Sequence, residues 1–251
     1  MKTFKRISAF LLSMLLLASF AGCSCRNTKE PAGETNDTVL ENNKPYTLII
    51  EDIKSSGFLN TDFTGELTIS KADGHKGLCS VEGSACDNVS VYTDEANKTI
   101  IIKGNGEIRQ DSVKIQINAD IKELKIDNCN LNLHIDFGKS KDIKLNMSGA
   151  FNGSINMDAK TLFAQLDGAC NLTFSGNAEK AEIETNGAAV LNSESLLAKS
   201  VIFTARGASS CSIYASENLE ASVYDACSIV YSGDPKNVTK TIEGAGTIKA
   251  K

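Results

Sequence analysis

The chain has 251 residues, 41% hydrophobic and 6% aromatic, with 19 Gly, 3 Pro, no Trp and a formal net charge of −5. That length allows one or two domains and a sizeable core. An acidic chain with two His is a poor partner for nucleic acid, which is bound through basic contacts to phosphate.

The chain opens "MKTFKR" and continues with the apolar run "ISAFLLSMLLLASFA". A basic start and an apolar run of this length predict a secretory signal peptide over residues 1–22. The run is shorter than the ~20 apolar residues a spanning helix needs. It ends in Ala21-Gly22-Cys23, which resembles the lipobox of bacterial lipoproteins, with Phe20 where Leu is usual. The resemblance implies that Cys23 is the first mature residue and carries the lipid, palmitate included. The chain would then be exported and anchored in the bacterial cell envelope, at the outer leaflet of the cytoplasmic membrane or in the outer membrane. Residues 23–45 are polar, with Pro31, Gly33 and Pro45, and read as a flexible tether.

From Tyr46 the pattern becomes one of strands: "YTLII", "GELTISK", "NVSVYT", "KTIIIKG", "SVKIQIN" and "KELKID". They are short, alternating and rich in Ile, Val and Thr, with Gly, Asn and Asp between them. Further on, one phrase returns: "DNCNLNL", "GAFNGSI", "GACNLTF", "GAAVLNS", "SSCSIY", "DACSIV", "GAGTI". Aligned on its third position it gives a column of Cys86, Gly106, Cys129, Phe151, Cys170, Ala189, Cys211, Cys227 and Gly246, in steps of 16 to 23 residues. The copy near Gly207 can be headed by Gly207 or by Ser209. A period near 20 with strand-like sequence predicts an all-β parallel β-solenoid (β-helix), read as right-handed, with coils of about 19–22 residues over a single domain at 46–251. The column then points inward, and Gly149-Ala150, Gly168-Ala169 and Gly187-Ala188 sit at corners where neighbouring backbones come close.

The run "CSVEGSACDNVSVYTDEANKTIIIKGNG", then "DSVKIQINADIKELKID", then the repeated small-residue corner resembles the head GIN domain of autotransporter adhesins. The resemblance covers about 46–251 and implies a β-helix-like fold and a surface role, with no catalytic residues to carry over. Its corner is eroded here: "EGAGTI" keeps the small-residue pattern, while "DNCN", "DGACN" and "YDACS" do not.

The eight Cys include no C-x-x-C. Column Cys residues are mostly two coils, ~10 Å, apart, too far for one zinc or a bridge. Cys211 and Cys227 are the exception, candidates for a disulfide on adjacent coils, and Cys79 with Cys86 could close a local loop. Otherwise the thiols read as small buried hydrophobes. Beside the column runs a ladder of Asp127, Asp167, Arg206, Asp225 and Glu243, which could be a solvated turn edge, a cation site or the acids of a polysaccharide-cleaving β-helix. His134 lies on a strand and His75 in a loop. P-loop, HExxH, GxSxG and EF-hand patterns are absent. The expectation is a non-catalytic, lipid-anchored surface protein with no metal or cofactor, an adhesin or a module for a glycan or a surface protein. The rivals are a carbohydrate-active enzyme on the same fold, disfavoured because Arg109 and Arg206 are its sole Arg in the folded region, and a purely structural envelope module.

Overall fold

The computed structural model describes residues 38–41, 44–53, 65–70, 76–83, 88–104 and 113–251. They form twelve strands: β1 Thr38–Glu41, β2 Tyr46–Glu51, β3 Gly65–Ser70, β4 Lys76–Glu82, β5 Val89–Asp94, β6 Thr99–Gly104, β7 Val113–Asn118, β8 Ile121–Gly207, β9 Ser210–Val223, β10 Ser228–Ser232, β11 Asn237–Ile242 and β12 Thr247–Ala250. No helix among them is long and apolar enough to cross a membrane. Cys23 lies outside the described residues. β1 falls inside the stretch expected as tether and pairs with β4, so paired structure begins before Tyr46.

β8 is 87 residues of unbroken strand. Fully extended it would run about 290 Å at ~3.3 Å per residue, so it must wind on itself. Asn152 Nδ2 donates to Asn132 Oδ1 and Asn171 Nδ2 to Asn152 Oδ1, 20 and 19 residues away. These are contacts between successive turns of one ribbon. The same step continues in parallel pairings: Val190 with Ser210, Ser210 with Ser228, and Ser228 with Thr247. On another side Val201 pairs with Leu219, and Leu219 with Val238.

Winding is possible because inward positions alternate with outward ones. Leu162, Ala164 and Leu166 are buried, as are Cys170, Leu172 and Phe174, while Asn171 and Thr173 between them are exposed. Each coil thus drops a row of aliphatic side chains onto the row below, and the core is one continuous stack. Phe151, Phe174 and Phe203 supply its bulk.

The sheet is mixed, which corrects the expectation of parallel pairing throughout. β2 pairs in parallel with β6 and β8, and β3 with β7 and β8. β1–β4, β4–β7 and β5–β6 are antiparallel. For β5 and β6 the reason is the short link Glu95–Lys98: a hairpin turn can only send the chain back antiparallel. Asp94 accepts from the Asn97 backbone N–H at 3.0 Å and from its Nδ2 at 2.7 Å, closing that turn. The antiparallel strands lie at the outer edges of the early half, where β1 and β5 end the strand order β1-β4-β7-β3-β8-β2-β6-β5.

Candidate binding surface

The corner sets the register. Gly149, Gly168, Gly187 and Gly207 all have φ between +88° and +142°. A Cβ on Gly168 would stand 2.2 Å from the Gly149 carbonyl oxygen, and one on Gly187 2.5 Å from that of Gly168. Both the backbone sign and the space demand glycine. Asp225, at φ 63°, continues the same ladder between Gly207 and Gly244, and its Oδ2 accepts from the Gly207 N–H at 3.2 Å. Asp is one of the few side chains that tolerate this conformation.

The residues expected in one inward column divide. Cys86 and Gly106 lie outside the described residues. Cys129, Phe151, Cys170, Ala189, Cys211 and Cys227 are at most 7% exposed, and Gly246 is half-buried. The pairings place Ala189, Ser209, Cys227 and Gly246 in one column. The ladder of Asn132, Asn152 and Asn171 puts Leu131 and Phe151 below Cys170. Cys129 instead lies against Gly149, and Cys211 pairs with Leu191 and Ile229. Matching Cys to Cys misplaced these two; the corner glycine fixes the register, and Ser209 takes the place expected for Cys211. Ser209 Oγ is satisfied there by the carbonyls of Gly187 and Arg206, both at 3.4 Å.

This slip also separates the candidate disulfide. Cys211 and Cys227 are free thiols. One coil and two residues apart, their Cα atoms are about 8 Å from each other, beyond the ~7 Å a bridge allows. Burial pushes the thiols of Cys129 and Cys211 up to about 12 and that of Cys170 up to about 11. These are packing groups; Cys227 Sγ donates to the Gly207 carbonyl at 3.5 Å.

The outward face after the corner is polar and carries little charge. Asn132, Asn152 and Asn171 form one row, which is interrupted by the exposed Val190 and continued by Ser210, Ser228 and Thr247. Ser228 and Thr247 hydroxyls meet at 3.2 Å. A second row runs Asp136, Asn156, Ser175: Asn156 Nδ2 donates to Asp136 Oδ1 at 3.0 Å and Ser175 Oγ to Asn156 Oδ1 at 3.1 Å. His134, exposed between the two rows, pairs with Thr68. A third row on another side links Ser200, Asn218 and Asn237. The middle amides Asn152, Asn156 and Asn218 each spend one N–H and one lone pair on their neighbours and keep another of each for solvent or ligand.

The face before the corner is charged and mixed. Glu123 accepts from Lys125 and Lys144 at 3.3 and 3.4 Å. Its burial works to raise its carboxyl, but the two ammonium groups outweigh that and hold it below the usual range. Asp127 and Asp167 share an open hollow of about 220 Å³ with Lys125, Asn146, Ser148 and Gln165. Gln165 Nε2 donates to Asp167 at 3.2 Å. Arg206 does not line it: its guanidinium stacks 4.0 Å over Tyr224 and pairs with Glu184 at 3.5 Å. Among the described residues no three His, Cys, Asp or Glu side chains come together to hold a metal. His75 and Arg109 lie outside the described residues. The sequence reading missed the cluster of Tyr46, Glu95 and Lys98, in which Tyr46 Oη donates to Glu95 at 2.8 Å and Lys98 Nζ binds Glu95 at 2.6 Å.

A family model described as "Putative auto-transporter adhesin, head GIN domain" matches residues 60–235. Among solved structures the chain is similar to a "putative adhesin" from Bacteroides fragilis, with a TM-score of 0.68 and 18% identity over 88% of this chain and 99% of that one. It is also similar to a "putative lipid binding protein" from Parabacteroides distasonis, TM-score 0.58, 18% identity, over 86% of this chain and 96% of that one. A "putative adhesin" from Parabacteroides merdae matches at TM-score 0.58 and 15% identity over 87% of this chain and 97% of that one. No protein of curated function matches.

Proposed function

The chain belongs to the auto-transporter adhesin head GIN domain family, and on that premise we propose that it is an exported, lipid-anchored and non-catalytic adhesin of the bacterial cell envelope. In this reading residues 1–22 are a signal peptide and Cys23 carries the acyl chains. The parallel coils form a right-handed β-solenoid that presents its polar rows to an extended partner, a glycan or a surface protein.

The observation that carries it is the row of Asn132, Asn152 and Asn171. Successive amides stand about one strand spacing, ~4.8 Å, apart, each with at least one donor and one acceptor unspent. Such a row suits a polymer whose polar groups recur along its length. Individual contacts are worth about 1 kcal/mol, so affinity has to come from many in register. The test is a glycan and matrix-protein array probed with residues 24–251. A partner should be retained by that chain and released by the double change Asn152→Ala and Asn156→Ala. A partner held equally well by the double variant places binding elsewhere.

Lipid anchoring is tested separately by intact mass of the membrane-extracted protein: diacyl or triacyl modification at Cys23 is expected, and another mature N-terminus rules it out. The enzymatic rival rests on Asp127 and Asp167 across their hollow. Two coils apart, about 9.6 Å by strand spacing, they fall near the separation used by inverting glycosidases. Arg206 is engaged with Tyr224 and Glu184 instead. Release of reducing sugar that disappears in Asp127→Asn would favour that rival.

A further inference from the structure

The two ends of the coil stack are built differently. At the early end the edges are antiparallel strands, β1 and β5. At the late end the last strands are parallel and end the pairing: among the described residues β11 pairs with β9 alone and β12 with β10 alone. Their outer edges carry free backbone donors and acceptors, the kind of edge to which another chain adds.

β11 also carries inward positions with no coil beyond them. Val238 lies on Leu219, Lys240 on Ala221 and Ile242 on Val223. Leu219, Ala221 and Val223 are at most 2% exposed, whereas Val238 is 39% and Ile242 49% exposed. Between those two apolar groups the core position is filled by a lysine. The residue is exposed, but its ammonium is held across the end by two contacts. It stands 4.7 Å from the centre of the Tyr231 ring and donates to the Ile248 carbonyl at 3.4 Å. Tyr231 packs against the core, so the lysine lies across the open end of the stack, from β11 toward β10 and β12.

We infer that Lys240 is a charged guard that prevents a second copy of this chain from docking end to end on the β11 edge. Two such ends meeting about a two-fold axis would present the same patch to each other, with Val238 and Ile242 buried and their edges paired. The two ammonium groups would be brought together at the centre of that contact. Like charges held close in a drying interface disfavour it strongly, and an inward-pointing charge on an edge is a recognised defence against such pairing. The early end differs in shape and pairing, so loss of the guard should stop at a dimer and not run on to a fibre.

The test is mass by light scattering on residues 24–251 over a hundredfold range of concentration. The unaltered chain should stay monomeric. Lys240→Val should convert to a dimer as concentration rises, and Lys240→Arg should stay monomeric. Lys240→Glu should be monomeric alone but should form a mixed dimer with the unaltered chain, which a general loss of folding cannot produce. Circular dichroism and melting of each variant establish that it is folded. A folded Lys240→Val that stays monomeric, with no mixed dimer from Lys240→Glu, overturns the inference, as does an unaltered chain that dimerises through this edge.

Discussion

Replacing Gly168 by Ala should be among the most damaging single changes available. At φ +116° the backbone lies where side chains are rarely found, which costs about 1–3 kcal/mol. The added Cβ would stand 2.2 Å from the Gly149 carbonyl oxygen, more than about 1 Å inside ordinary contact distance. The neighbour is backbone and cannot swing away. Relief requires the two coils to part at the corner, loosening about two hydrogen bonds at roughly 1 kcal/mol each. The expected loss is therefore about 3–5 kcal/mol, against a total stability of ~5–15 kcal/mol for a domain. At ~2–4 °C per kcal/mol for this size, melting should fall by roughly 6–20 °C. Coils support their neighbours, so hydrogen exchange should rise first around residues 145–190. The assay is thermal and urea unfolding with exchange read along the chain. A Gly168→Ala protein that loses less than about 1 kcal/mol refutes both the close approach and the register built on it.

At Cys170, Ala should be tolerated best and Asp least, because a buried carboxylate without a partner is costly; unfolding midpoints check the order. Cys170→Ser should lie near the low end of about 1–3 kcal/mol, since Ser209 in the same column finds two carbonyls. Cys129 and Cys211 should resist maleimide at pH 8 until the chain is unfolded, because burial holds them protonated. Their folded values lie above the ordinary thiol range. The neutral thiols therefore stabilise the fold fully below about pH 9, and that contribution is lost as pH rises toward 12; a pH series of unfolding midpoints, with Cys129→Ala as reference, reads it. Tyr46→Phe should cost about 1 kcal/mol by removing the bond to Glu95, seen as faster exchange in β5 and β6.

How far the sequence could be read depends on what each signal encodes. Alternation in "NLTF" and "VIFTA" reports which side chains are buried, and Leu172, Phe174, Val201 and Phe203 are buried. Small residues at the corner report close backbones, as Gly168 and Gly187 show. Neither signal encodes register. Cys211 follows its corner by four residues from Gly207, and Cys227 by two from Asp225, so aligning on Cys moved that coil by two positions. The period and the family resemblance pointed to an all-β fold but not to the antiparallel edges. Those follow from the turn Glu95–Lys98, where Asp94 bonds Asn97, and from long-range pairings such as β1 with β4, which no local pattern announces. The polar rows were legible as composition and spacing; that Asn152 bonds both Asn132 and Asn171 required the winding.

The corner repeats a positive φ at Gly149, Gly168, Gly187, Gly207, Asp225 and Gly244. Whole coils are consequently interchangeable as units of growth. Duplicating the segment between two corner glycines would insert about 19 residues and lengthen the body by roughly 4.8 Å, leaving the contacts of every other coil as they were. Deleting one would shorten it by the same step. The length of the body can therefore be inherited as a count of coils, adjusted by unequal recombination without redesigning a core.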